Sequence, residues 1–163
     1  MKRAIYIGLL ILVALVALMA GMFGAFNRFP SAALQAVTND PKLALYSIDP
    51  SEGPARSGDT PVFRDYPILG QTVLTGPSDR VLVADSLRRA ARGAWDRAAC
   101  FNPRHGIRAT NSSGTYDILL CFECIQAVVY FPDGHEESIP IHGPSTTLNE
   151  LLAAANIPLA RQP

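Results

Sequence analysis

Hydrophobic residues are distributed unevenly along this chain. The run at residues 4–26 contains 23 residues without a single charge, whereas the rest of the chain alternates apolar and polar residues over short periods. A helix needs roughly 20 apolar residues to cross about 30 Å of hydrocarbon. The pattern therefore predicts one N-terminal transmembrane helix, residues 1–26, followed by a separate domain.

The charges that flank this run predict its orientation. Lys2 and Arg3 precede it and only Arg28 follows closely, which favours a cytoplasmic N-terminus. We expect a single-pass protein of the inner (cytoplasmic) membrane, with its domain in the periplasm or outside the cell. The alternative is a cleaved secretory signal, but such signals have a shorter apolar stretch of about 7–15 residues and a small-residue cleavage site close behind it.

The same run contains small residues at a four-residue spacing. Ala17, Gly21 and Ala25 lie on one helix face, and small residues at this spacing let two membrane helices approach closely. A helix-mediated homodimer is one interpretation. The simpler one is that small residues are common in membrane helices of any kind.

Beyond the run, residues 27–42 are expected to be a juxtamembrane connector, and residues 43–163 an extracytoplasmic domain. Alternating apolar residues predict strands at 43–48 and 66–74. Between them, residues 50–61 are rich in Pro, Gly and Ser, a composition that favours a mobile loop over packed structure.

The second half predicts two helices and a β-rich stretch. Apolar residues recur at helical spacing over residues 78–92 and 147–155, the latter opened by the capping-box pair Thr147 and Glu150. Turn signals at 111–114 and 133–134 separate strands at 101–110, 115–131 and 138–141. We therefore expect an α+β domain, an antiparallel sheet with two helices packed on one face.

Charge and motifs exclude some functions. Once Lys2 and Arg3 are set aside, 12 basic and 14 acidic residues remain. The chain therefore lacks the excess of basic residues that is typical of proteins that bind nucleic acids. The chain also lacks a Ser-His-Asp order, a phosphate-binding glycine loop and a paired-carboxylate signature. The expected function is binding or interaction with an unknown envelope protein, without a cofactor.

The residues that could carry out chemistry or bind a metal cluster in two short motifs. They are Cys-Phe-Asn-Pro-Arg-His-Gly, beginning at Cys100, and Cys121-Phe-Glu-Cys124. The two motifs resemble those of a family of small exported or membrane-anchored bacterial proteins that has no assigned activity. The resemblance spans roughly residues 43–157, and it implies a shared fold and no particular chemistry.

Three chemical interpretations compete for these residues. Cys100, His105, Cys121 and Cys124 form a Cys3His set suited to zinc. Cys121 and Cys124 form the Cys-x-x-Cys pattern of thiol–disulfide redox centres. Outside the cytoplasm, a structural disulfide that leaves one unpaired thiol is the default.

The expected hairpin register tests these interpretations. With Thr110 opposite Thr115, Arg108 faces Asp117 and His105 faces Leu120. The four zinc candidates then fall on both faces of the sheet, so a zinc site requires a break in the strand at Pro103. A Cys-x-x-Cys within a strand also lacks the helix N-terminus that activates redox thiols.

A structural disulfide is thus favoured, with Cys100 to Cys124 slightly preferred and a break at Asn102-Pro103 needed to form it. Arg104, His105 and Glu123 are the polar residues that we select as functional candidates. A histidine on an apolar strand face is, however, more often a hydrogen-bonded core residue. A metal-binding or thiol-redox protein built on the three cysteines and His105 is the alternative to a binding function.

Overall fold

The computed structural model describes residues 29–51 and 61–161. It contains three helices, α1 (Ser31–Asn39), α2 (Pro77–Ala91) and α3 (Thr146–Ala154). Its seven strands are β1 (Leu43–Ile48), β2 (Val62–Phe63), β3 (Tyr66–Leu74), β4 (His105–Asn111), β5 (Gly114–Cys121), β6 (Gln126–Tyr130) and β7 (Glu136–Pro140).

The strands form one antiparallel sheet in the order β2-β3-β1-β4-β5-β6-β7. β1 pairs with β3 on one side and with β4 on the other, so the connection through α2 crosses over β1. From β4 onward each strand pairs with the next in the chain. The predicted α+β class with an antiparallel sheet is confirmed.

The three helices pack on one face of the sheet. Their buried residues belong to the same apolar cluster as Leu43, Leu45, Ile107 and Ile118 from the central strands. Alternation along each strand directs these side chains to the helical side. The main core therefore lies between the helices and the sheet, as the sequence predicted.

Helix α1 was not predicted and changes the domain boundary. It lies within residues 27–42, where we expected a connector, yet Ala33, Ala36 and Val37 are fully buried in the main core. Phe29, just before the helix, is buried as well. The folded domain thus includes residues from Phe29 onward and does not begin at residue 43.

The other face of the sheet has a smaller apolar cluster. Tyr46 and Phe63 stack there with ring centroids 4.5 Å apart, next to Ile48 and Leu119. Gly106 lies directly beneath: a Cβ at this position would come 2.7 Å from the Phe63 ring. Only glycine lets β4 pass under this aromatic side chain.

The predicted register of the β4–β5 hairpin is confirmed, but two strand boundaries are wrong. Thr110 faces Thr115, Arg108 faces Asp117 and His105 faces Leu120. However, β4 begins only at His105. The stretch 115–131, expected as one strand, is divided into β5 and β6 by a turn at residues 122–125.

Several predictions concern residues outside the described ranges. These are the transmembrane helix at 1–26, the helix contact through Ala17, Gly21 and Ala25, and most of the loop at 50–61. Within residues 29–51 and 61–161, no helix has the length and apolar character needed to cross a bilayer.

Candidate functional site

The turn between β5 and β6 is closed by a disulfide. Cys121 and Cys124 are bonded, with Cα atoms 5.1 Å apart, and both residues are 1% exposed. The Cys124 N–H donates to Cys121 Sγ at 3.1 Å, and the Asn102 N–H donates to Cys124 Sγ at 3.2 Å. The bridge therefore closes the turn, and the hydrogen bond from Asn102 ties the segment before β4 to it.

The preferred pairing of Cys100 with Cys124 is wrong. The chain does leave the strand before His105, as that pairing required, but it brings Asn102 rather than Cys100 against Cys124. Cys100 is exposed and forms no disulfide within the described chain. Residues three apart in a regular strand point to opposite faces, and the turn removes this obstacle for Cys121 and Cys124.

The Cys3His zinc site is also wrong. Sulfurs joined in a disulfide cannot act as thiolate ligands, and His105 Nε2 is already hydrogen-bonded. Among residues 29–51 and 61–161, no group of three His, Cys, Asp or Glu side chains is arranged to hold a metal ion.

A cleft of about 320 Å³ opens beside the disulfide turn. It lies between the start of β4, the turn and the N-terminal end of α3. Three of its lining residues are the predicted polar candidates Arg104, His105 and Glu123, and Cys121 lines it too. Cys100 and Cys124 are not among the lining residues. The other lining residues are Asn102, Phe122, Gly143, Pro144, Ser145, Thr146 and Asn149.

His105 is the most buried polar side chain of this cleft, at 4% exposure. Its Nε2 lies 2.7 Å from Asn149 Oδ1, and Asn149 Nδ2 donates to Ser145 Oγ at 3.0 Å. This arrangement makes Nε2 the protonated ring nitrogen, so Nδ1 presents a lone pair. Nδ1 has no hydrogen-bond partner among the described residues.

Burial lowers the pKa of His105 below its usual value. The hydrogen bond to Asn149 opposes this shift, and the positive charge of Arg104 adds a smaller contribution in the same direction as burial. The imidazole is therefore neutral at physiological pH. Its Nδ1 is then a hydrogen-bond acceptor and not a donor.

Arg104 lies between Glu123 and the C-terminal segment. Its Nη2 donates to Glu123 Oε2 at 3.3 Å, and its Nη1 donates to the backbone carbonyl of Arg161. Nε is 3.2 Å from Glu123 Oε1, but the angle does not suit a hydrogen bond, and this buried N–H has no partner within the described residues. The guanidinium of this cleft-lining residue thus keeps one N–H, that of Nε, without an acceptor among the described residues.

A smaller cavity of about 90 Å³ adjoins the cleft and shares Arg104, His105, Ser145 and Asn149 with it. Ser47 also lines this cavity and is directly opposite His105 in the β1–β4 pair. Ser47 is 1% exposed, and its Oγ has no hydrogen-bond partner among the described residues. Three buried polar atoms without partners therefore lie on residues around this cavity.

Sequence reasoning missed Ser47, Ser145 and Asn149. Ser47 follows Leu43 and Leu45 on the face of β1 that the helices cover. A polar residue at a position where the alternation calls for an apolar one could have marked Ser47 as a candidate site residue. Asn149 follows the buried Leu148 in α3, but its contact with His105 joins residues 44 positions apart. No local pattern predicts that contact.

No protein-family model, curated protein or solved structure matches this chain.

Proposed function

We propose that this protein is a membrane-anchored, extracytoplasmic binding protein of the bacterial envelope, and that it binds its partner in the cleft. One observation carries the proposal: Ser47 Oγ, Arg104 Nε and His105 Nδ1 are buried without a hydrogen-bond partner within the described chain, and their residues line one connected site. An unsatisfied buried polar group costs about 1–3 kcal/mol. Such a cluster is expected where a ligand supplies the missing partners.

Three features support the location. The uncharged run at residues 4–26 is long enough to anchor the chain, and Lys2 and Arg3 favour an exported domain. The disulfide between Cys121 and Cys124 suits an oxidising compartment. The resemblance to small exported bacterial proteins, stated above on the two cysteine motifs, agrees with both.

Thermal unfolding of the full-length chain with a panel of small molecules and short peptides tests the cleft. A ligand that binds the native state stabilises it by RT ln(1 + [L]/Kd). We expect a stabilising compound to raise the Tm of the wild type and of Arg89→Gln, an exposed position on α2. The same compound should have no effect on Arg104→Gln. If stabilising compounds act equally on both variants, the binding site lies elsewhere.

A thiol–disulfide centre is the second candidate, favoured by the bridged Cys-x-x-Cys. Backbone N–H groups donate to both sulfurs, and such bonds would stabilise the thiolates after reduction. Against this stand the 1% exposure of both residues and their position in a turn between strands. A reduction potential above about −230 mV would favour redox exchange, and one below about −300 mV a structural bridge.

A further inference from the structure

The N-terminal end of α3 faces the cleft without a capping group. Ser145 occupies the N-cap position, but no side chain caps the first turn, and no acidic residue lies within it. The Ser145 hydroxyl instead accepts from Asn149 Nδ2. The first backbone N–H groups of a helix carry partial positive charge and favour an anion. Ser145 and Thr146 both line the cleft.

The cleft has one positive charge, which the single negative charge of a ligand would neutralise in place of Glu123. Arg104 is its one cationic side chain among the lining residues, and Glu123 offsets it in part. Glu123 has a side chain that is 43% exposed, so it can turn toward solvent when another carboxylate takes its place. A dianion such as phosphate would keep an uncompensated charge. A guanidinium binds a carboxylate through two parallel hydrogen bonds.

Whereas Arg104 and the helix end call for an acceptor on the ligand, His105 calls for a hydrogen-bond donor. Its Nδ1 lone pair is buried and has no donor among the described residues, so a ligand with an N–H or O–H donor near its carboxylate would satisfy it. Ser47 Oγ, across the strand pair, has no partner within the described residues either. An anion without a donor would pair with the first N–H groups of α3 and with Arg104. It would leave the His105 Nδ1 lone pair without a hydrogen-bond donor.

We infer that the cleft binds the free carboxylate of an acylated amino acid, with the adjacent amide N–H donating to His105. This inference rests on the proposed function and names the ligand class. The chemistry is shared by small N-acyl amino acids and by the C-terminal end of a peptide chain. The cleft volume of about 320 Å³ lies at the small end of ligand sites, which span about 300–1,000 Å³.

Titrations of the isotope-labelled full-length chain, followed by NMR, test the inference without any substitution. N-acetyl-L-alanine should shift the His105 ring signals and the Thr146 and Thr147 backbone amides in a saturable way. N-acetyl-L-alaninamide, which keeps the amide but loses the charge, should bind at least tenfold more weakly. Equal affinity for the two compounds, or tighter binding of inorganic phosphate than of N-acetyl-L-alanine, overturns the inference.

A further probe distinguishes the two sources of the carboxylate. If acetyl-Ala-Ala-Ala binds at least tenfold tighter than N-acetyl-L-alanine, the ligand is a peptide end; equal affinity indicates a small acid. Arg104→Gln should lose at least tenfold in affinity for either, and Arg89→Gln should not. If every carboxylate fails while a neutral compound still depends on Arg104, the inference is wrong and the binding function stands. If no compound depends on Arg104, both are wrong.

Discussion

Arg108 and Asp117 face each other across the β4–β5 hairpin and form a two-pronged ion pair. Arg108 Nε donates to Asp117 Oδ1 at 2.7 Å, and Nη2 donates to Oδ2 at 2.8 Å. Arg64 adds a third hydrogen bond to Oδ2 at 2.7 Å. Asp117 is buried, so its charge is compensated almost entirely by these two guanidinium groups.

Arg108→Gln should therefore destabilise the fold by about 2 kcal/mol. Removing one partner of a buried ion pair costs about 3–5 kcal/mol, and Arg64 remains to offset part of this. Urea denaturation measures the change. The matched control is Arg88→Gln, which removes the exposed pair with Asp85 and should cost no more than about 1 kcal/mol. Equal losses in the two variants would contradict the structural role of Asp117.

The disulfide gives a second prediction. Replacing Cys121 and Cys124 together by serine should lower the free energy of unfolding by about 2 kcal/mol, because the bridge closes a loop of only four residues. Cys100→Ser, at an exposed position, should change it by less than about 0.5 kcal/mol. Non-reducing peptide mapping reports the pairing directly. A disulfide-linked peptide that contains Cys100 would contradict the pairing of Cys121 with Cys124.

His105 gives a pH dependence with a defined sign. Its pKa is lowered in the folded protein by burial, whereas the unfolded chain titrates near about 6.5. Between about pH 6.5 and the lower pKa of the folded state, the unfolded chain binds a proton at His105 and the folded protein does not. The free energy of unfolding should therefore fall as the pH drops through this range. His105→Gln should flatten this loss, measured by urea denaturation between pH 5 and pH 7. The exposed-residue control His142→Gln should retain it.

The proposed topology is tested with reporters fused after Pro163. A periplasm-active enzyme should be active there and a cytoplasm-active one inactive, because Lys2 and Arg3 retain the N-terminus inside. The mature protein should still begin near Met1. Recovery of a soluble product that begins near Leu34 would show that the apolar run is a cleaved signal.

Regular elements could be predicted because their patterns are local. Alternation along β1 and β3 gave the observed bounds, Leu43–Ile48 and Tyr66–Leu74. The register of Arg108 against Asp117 followed from keeping apolar and charged residues on separate faces. Helix α1 was missed although it has nine residues, as many as α3. The pair Thr147 and Glu150 marked the start of α3, whereas α1 has no such signal, and its burial comes from tertiary contacts with α2 and β4.

The site was predicted only in part, and the disulfide turn shows why. Phe122 and Ile125 look like the continuation of an apolar strand, yet Ile125 adopts a φ of 48°, which a β-branched residue rarely does. Arg104, His105 and Glu123 were selected because they are polar residues within the two cysteine motifs. The neighbours of His105, Ser47 across the strand pair and Asn149 in α3, come from distant segments, and only the fold brings them to it.

The folded domain begins so close to the apolar run that the distance between the two is short. Phe29 is already in the main core, and only Asn27 and Arg28 separate it from the end of the apolar run at Phe26. Three residue steps span at most about 10–11 Å when fully extended. A chain anchored through that run would hold its domain close to the membrane surface without a long tether. Its partner would then have to come to the bilayer, either as another membrane protein or as a ligand that diffuses there.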